Sequence, residues 1–196
     1  PSGGNKLYKN LGNFKFTDVT KSAALEDTSI WGTGAGFVDI DGDGDLDIYV
    51  TNYGATSVLR SGGKVSVRTV NGKQVVTGRY SNRIRIVKGS FVEIGEPDIL
   101  YINDGNAKFT KVNWLDGNWL DESGQPIKKE FWDLGLSVMI RDINQDGLPD
   151  IYNCNDFQTP DRLWINKGNG KFQLVNEMSI RHRSYFAMAV DFADIN

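Results

Sequence analysis

One short segment occurs three times without a gap: "NKLYKNLGNFKFTDV" at 5–19, "DILYINDGNAKFTKV" at 98–112 and "DRLWINKGNGKFQLV" at 161–175. In each copy an apolar run (Leu7 and Tyr8, Leu100 and Tyr101, Leu163 and Trp164) enters an Asn- and Gly-rich turn. A second run follows around Phe16, Phe109 or Phe172. Strand, tight turn and strand in that order is the pattern of a β-hairpin. No amphipathic helical period interrupts it, so the chain is expected to be all-β.

A second element repeats ahead of the hairpins. "DIDGDGDLDIYV" from Asp39 matches "DINQDGLPDIYN" from Asp142, and the final "DIN", Asp194 to Asn196, reads as the start of a third copy. Before each copy comes an alternating run with small residues at every second position: Gly32 and Gly34, Gly135 and Ser137, Ala187 and Ala189. Small residues on one face predict an inner strand whose backbone lies close to a neighbour. Inner strand, acidic loop, second strand and hairpin make four strands, which is the form of a β-propeller blade. The expected layout is a single partial propeller of two whole and two partial blades. The end of one blade lies at 1–20, whole blades at 30–113 and 132–176, and the start of another at 185–196.

Two insertions depart from the repeat. The first, at 55–95, holds two alternating runs around Asn71-Gly72, a type I′ hairpin signal, and a further alternating run, "RIRIV". Between Asp47 and Glu93 there is no acidic residue, whereas Arg60, Lys64, Arg68, Lys73, Arg79, Arg83, Arg85 and Lys88 are basic. The second, at 113–130, reads as a polar loop carrying Trp114 and Trp119. The net charge of -3 conceals this polarity, because eight of the 25 acids lie in the two repeated loops and the rest of the chain is basic.

Like charges this close repel, which points to a bound cation. Calcium takes six to eight hard oxygens at flexible distances, and alternating side chains plus one carbonyl supply them from a short loop. In the first loop Asp39, Asp41 and Asp43 offer side-chain oxygens, Asp45 its backbone carbonyl, and Asp47 a carboxylate able to bind through both oxygens. In the second, the same roles fall to Asp142, Asn144, Asp146, the carbonyl of Leu148, and Asp150. Gly44 and Gly147 stand where the backbone must turn with positive φ. The expectation is two Ca2+ sites. So many anionic ligands exceed what magnesium's small octahedral shell uses. An EF-hand is excluded: its twelfth position, a glutamate there, is Val50 or Asn153 here, and the flanks are β-rich rather than helical.

"GFVDIDGDGDLDIYVTN", "VMIRDINQDGLPDIYN" and "RLWINKGNGKF" resemble FG-GAP (VCBS) repeats, the calcium-loop blades of integrin-like propellers. More narrowly, "WGTGAGFVDIDGDGDLDIYVTNYG" and "FAMAVDFADIN" are similar to the cartilage acidic protein and ASPIC/UnbV group. The resemblance implies a metal with a structural role and a module that binds or adheres rather than catalyses. It also implies an extracellular, cell-surface or periplasmic location, and partner blades in the same or another chain that complete the ring. The basic insertion is the candidate contact for an anionic glycan or protein ligand.

Two alternatives use the same scaffold. A polysaccharide-active, lyase-like enzyme would draw on His182, the only histidine, between Arg181 and Arg183, while Cys154 lacks an evident partner for nucleophilic work. A lectin would stack sugars on Trp114 and Trp119, whereas Trp31, Trp132 and Trp164 are expected to pack between blades. No recognised nucleic-acid module is present. No apolar run is long enough for a membrane span. A single cysteine excludes an internal disulfide framework. A chain starting at Pro1 reads as a processed product or a piece of something longer.

Overall fold

The computed structural model describes residues 4–26, 31–54, 58, 62–157, 159–176, 179 and 187–193. In chain order its strands are β1 (Tyr8–Asn10), β2 (Phe16–Asp18), β3 (Gly32–Val38), β4 (Asp47–Asn52), β5 (Ser66–Val70), β6 (Lys73–Thr77), β7 (Ile84–Val87) and β8 (Ser90–Glu93). Then follow β9 (Ile99–Asn103), β10 (Phe109–Lys111), β11 (Trp119–Leu120), β12 (Gly135–Arg141), β13 (Asp150–Asn155), β14 (Arg162–Asn166) and β15 (Phe172–Leu174). No α-helix occurs among the described residues, so the chain is all-β.

The three repeated segments fold as the antiparallel hairpins β1–β2, β9–β10 and β14–β15. The acidic loops join β3 to β4 and β12 to β13, whose pairing is also antiparallel. Two larger sheets result: a four-stranded one in the order β10-β9-β4-β3, and a five-stranded one in the order β11-β15-β14-β13-β12. The central strands β4 and β13 are buried along their whole length, as strands covered on both faces must be.

β3 and β12 lie against each other, and their small residues allow it. The Thr33 hydroxyl donates to the Gly135 carbonyl at 2.7 Å. A Cβ on Gly34 would sit 2.9 Å from Thr51 Oγ1 and 3.2 Å from the Leu136 carbonyl oxygen. The backbone beside Gly34 cannot retreat without separating the sheets. Gly34→Val is therefore expected to cost about 1–3 kcal/mol in urea unfolding, as overpacking does. Ala35→Val, on the exposed side of the same strand, is expected to stay within about 0.5 kcal/mol of the parent.

The main core fills the space between the two large sheets. Tyr49 and Leu100 come from the first, and Ile151, Trp164, Phe172 and Leu174 from the second. Trp114 and Trp119 join them, which corrects the expectation of a polar loop at 113–130. Both are buried, with ring centroids 4.1 Å apart, and Trp119 stacks on Phe172 at 4.8 Å. Trp119–Leu120 also pairs in parallel with β15 as an edge strand. Each aromatic ring removed from water contributes about 4–6 kcal/mol of transfer free energy, which outweighs the polarity of the neighbouring residues. Trp31, expected to pack inside, is 48% exposed and meets only the edge of Tyr53 at 6.4 Å among the described rings.

The first insertion forms two hairpins rather than one. Asn71 and Gly72, at φ 49° and 75°, make the expected turn between β5 and β6. Lys88 and Gly89, at φ 48° and 81°, make a second between β7 and β8, where the sequence showed a single alternating run. Near the carboxyl end the expected strand around Ala187 and Ala189 is absent from residues 187–193. Ala187 instead packs with Tyr152 and Cys154, and Phe192 meets the Tyr152 ring at 5.3 Å. This segment covers the outer side of the five-stranded sheet without a ladder partner.

Candidate metal centre

The two acidic loops occupy the same end of neighbouring sheets and share one internal scaffold. In the first, Asp39 accepts the Gly42 N–H on Oδ1 at 2.8 Å and the Gly44 N–H on Oδ2 at 3.0 Å. In the second, Asp142 accepts the Asp146 N–H on Oδ1 at 3.1 Å and the Gly147 N–H on Oδ2 at 2.8 Å. Asp43 and Asp146 then accept the N–H two residues on, from Asp45 and Leu148. These bonds curl each loop back over the carboxylate of its first residue. Gly44 and Gly147 take positive φ as expected, at 95° and 89°, and so do Gly42 and Gln145 two residues earlier.

Oxygens of Asp39, Asp41 and Asp43 lie within 4.8 Å of one another, a grouping able to hold a metal ion. Hard carboxylate oxygens at alternating positions suit calcium. The second loop has fewer charges. Asn144 replaces one acid, accepting the Asp146 N–H on Oδ1 and donating through Nδ2 to Asp146 Oδ2 at 2.8 Å. Asp45, half-buried, lies against the β9–β10 turn, where a Cβ on Gly105 would meet its Oδ2 at 2.7 Å. The Leu148 side chain faces the matching Gly168.

Asp47 and Asp150 differ from the other acids. Both are buried, and each already binds backbone through both oxygens. Asp47 accepts the Ile40 N–H at 2.9 Å and the Asn103 N–H at 2.8 Å. Asp150 accepts from Ile143 and Asn166, each at 2.9 Å. Each carboxylate thus ties the loop to the outer hairpin of its sheet, with one lone pair per oxygen left for a cation. Burial raises both carboxyl pKa values, and at Asp47 the charges of Asp41 and Asp43 add to the rise. A cation among these acids reverses that last effect.

Asn166 completes the arrangement. Its Nδ2 donates to the Ile40 carbonyl at 2.9 Å, joining the first loop to the neighbouring sheet, and to the Pro149 carbonyl at 3.2 Å. Asn103 repeats the second bond, to the Leu46 carbonyl at 3.1 Å. Sequence reasoning passed over both asparagines, although "LYIN" and "LWIN" align in the repeats.

A second buried cluster stands at the other end of the strands. Asp98 accepts from the Asn52 N–H at 2.8 Å, the Tyr49 hydroxyl at 3.2 Å and Asn153 Nδ2 at 2.7 Å. Burial, reinforced by the nearby Asp133, pushes its carboxyl up to about 8, while the Asn52 N–H, the Tyr49 hydroxyl and Arg162 oppose the rise. The unfolded chain releases this proton near pH 4, the folded chain near pH 8. In that window the native state binds the extra proton, so stability falls as pH rises from 4 to 8 and the loss is complete above it. The slope approaches about 1.4 kcal/mol per pH unit. Urea midpoints between pH 5 and 8 are expected to show the decline, and Asp98→Asn to flatten it; an unchanged slope in the variant would assign the decline elsewhere.

Other sequence candidates fall outside the loops. Arg83 is mostly buried, pairing with Glu96 at 3.1 Å and donating through Nε to the Ile94 carbonyl, so it braces the insertion instead of facing a ligand. Cys154 is buried, and burial with Asp161 pushes its thiol up to about 11. Arg60, Arg181, His182, Arg183, Asp194 and Asn196 lie outside the described residues.

The fold and the twin loops define an all-β repeat protein with two acidic cradles of one design. A family model described as FG-GAP-like repeat matches residues 1–50 and 142–196, more than half of the chain. The chain belongs to the FG-GAP-like repeat family. The matched segments contain both acidic loops and omit the basic hairpins and the tryptophan insertion. No curated protein matches the chain.

Proposed function

We propose that this chain is an arc of a calcium-braced β-propeller, displayed outside the cytoplasm, that serves as a binding or adhesion module. The observation that carries the proposal is the bonding shared by two acidic loops at matching places in adjacent sheets: the first aspartate accepts the N–H five residues on, and the third and fifth loop residues each accept the N–H two residues on. Asp39, Asp41, Asp43 and the Asp45 carbonyl would hold one ion with Asp47; Asp142, Asn144, Asp146 and the Leu148 carbonyl would hold another with Asp150. Calcium supplies charge neutralisation and a fixed coordination shell. The chain's own residues pass that rigidity on: Asp47 and Asp150 to the outer hairpins, and Asn166 from the first loop to the next sheet. The metal's role is structural.

In this reading 30–113 and 132–176 are blades, 1–20 is the end of another, and the chain has its place in the ASPIC/UnbV group. Further blades would pack on the outer face of the first sheet, where Leu7, Leu25, Val50 and Tyr101 border an open cleft. No described helix is long and apolar enough to cross a membrane. A binding role is favoured over a lectin using Trp114 and Trp119 because both rings are in the core. Lys64, Arg68, Lys73, Arg79, Arg85 and Lys88 are exposed on or beside the two hairpins, at the opposite end of β4 from the acidic loop. They offer an anionic glycan or protein a salt-sensitive surface.

Calorimetric titration tests the metal reading. Two calcium ions per chain are expected, the first loop binding more tightly because it carries more carboxylates. Asp39→Asn with Asp43→Asn should leave one. A folded protein that takes up no calcium would end the proposal.

A further inference from the structure

Between the two large sheets, on the side of the first acidic loop, a cleft of about 520 Å³ opens. That volume lies within the range of small-molecule sites. Its walls come from four places that meet only when the sheets stack: the first acidic loop at Ile40 and Asp41, strands β9 and β10, the segment 113–118, and the β14–β15 hairpin. We propose that this cleft is a binding site for a neutral, hydroxyl-rich ligand, namely a hexose unit of a glycan.

The lining chooses the ligand class. Asn113, Asn118 and Asn169 bring amides, and Thr110 a hydroxyl, around an apolar floor that includes Ile102 and Val112. Amides both donate and accept, as sugar hydroxyls do, and an apolar floor suits the C–H face of a pyranose. Asp41 and Asp116 oppose the single cation Lys111 in the lining, so the walls disfavour a sulfate or carboxylate. A purely apolar ligand would bury these amides unpaired at about 1–3 kcal/mol each.

The polar wall is also held in place before any ligand arrives. Asp116 accepts the Asn118 N–H at 2.8 Å and Asn118 Nδ2 at 3.1 Å, which orients that amide. Asn113 Oδ1 accepts the Leu115 N–H at 2.9 Å. The Asn118 carbonyl in turn accepts the Phe172 N–H at 2.9 Å and pins the segment to β15. Groups fixed this way lose little freedom on binding. The tryptophans of the insertion therefore support the site from inside the core, while its asparagines face the ligand.

Asp41 belongs to this cleft and to the acidic triad alike, so the inference rests on the calcium reading at that one residue. The test separates the two. The calcium-loaded, ¹⁵N-labelled chain is titrated with galactose, mannose and cellobiose, each to about 20 mM, and separately with heparin. At least one sugar is expected to shift the amides of Thr110, Lys111, Asn118 and Gly170 saturably, with a dissociation constant of about 1 mM or tighter. Thr110→Trp, at an exposed strand position, fills the cleft and should weaken that binding at least tenfold while calcium uptake is unchanged. No shift at these residues with calcium bound, an equal shift in Thr110→Trp, or heparin as the only ligand in the cleft would each overturn the site and leave the metal reading standing. Sugar binding without any calcium uptake would overturn the metal reading alone.

Discussion

Chelation of divalent cations is expected to lower the melting temperature by about 10–20 °C. At free calcium a hundredfold above its dissociation constant, each occupied site adds about 2.7 kcal/mol, and each kcal/mol shifts a domain of this size by about 2–4 °C. The structural reason lies in the loops. Without the ion, Asp39, Asp41 and Asp43 repel across less than 4.8 Å, and that repulsion extends to the buried Asp47. Asp47 and Asp150 then lose the partner that favours their charged form while still bridging loop and hairpin. Scanning calorimetry with and without a chelator reads the effect directly. Superimposable transitions would mean that the loops are ordinary solvated turns closed by their own backbone bonds.

Trp164→Ala is the substitution with the largest expected cost, about 3–5 kcal/mol. The ring is fully buried, and its centroid lies 5.4 Å from Trp114, 5.0 Å from Trp119 and 5.8 Å from Phe131. Removing it leaves a void between the sheets that rigid strands cannot close. Trp164→Phe is expected to cost less than half as much, because Nε1 has no acceptor among the described residues and its loss relieves a buried unpaired donor. Trp31→Ala, at a half-exposed ring, should stay within about 1 kcal/mol of the parent. Urea unfolding of the three variants gives the order; equal costs for Trp164 and Trp31 would refute the assigned core.

Local signals carried most of the secondary structure. The hairpins were legible because their turn residues and alternating runs act over a few positions, as at Asn71-Gly72. The acidic loops were legible for the same reason, since ligand spacing along one strand connection is a property of the chain alone. What depends on packing between distant segments was not. Trp114 and Trp119 stand among polar residues, yet they are buried because the adjoining sheets leave an aromatic space there. Arg83 reads as one cation in a basic run until Glu96 folds beside it. Asp47 and Asp150 look like ordinary metal ligands, and only the outer hairpins show that each also serves as a strand-to-strand brace. Lys88-Gly89 lacks the asparagine that marked the other turn, so the second hairpin followed from its φ values rather than its letters.

The most direct measurement is an anomalous difference map from crystals of the chain grown in calcium. Two peaks are predicted, one enclosed by Asp39, Asp41 and Asp43 and the other by Asp142, Asn144 and Asp146, each at oxygen distances of about 2.3–2.6 Å. Well-ordered loops with no peak in either cradle would contradict the account.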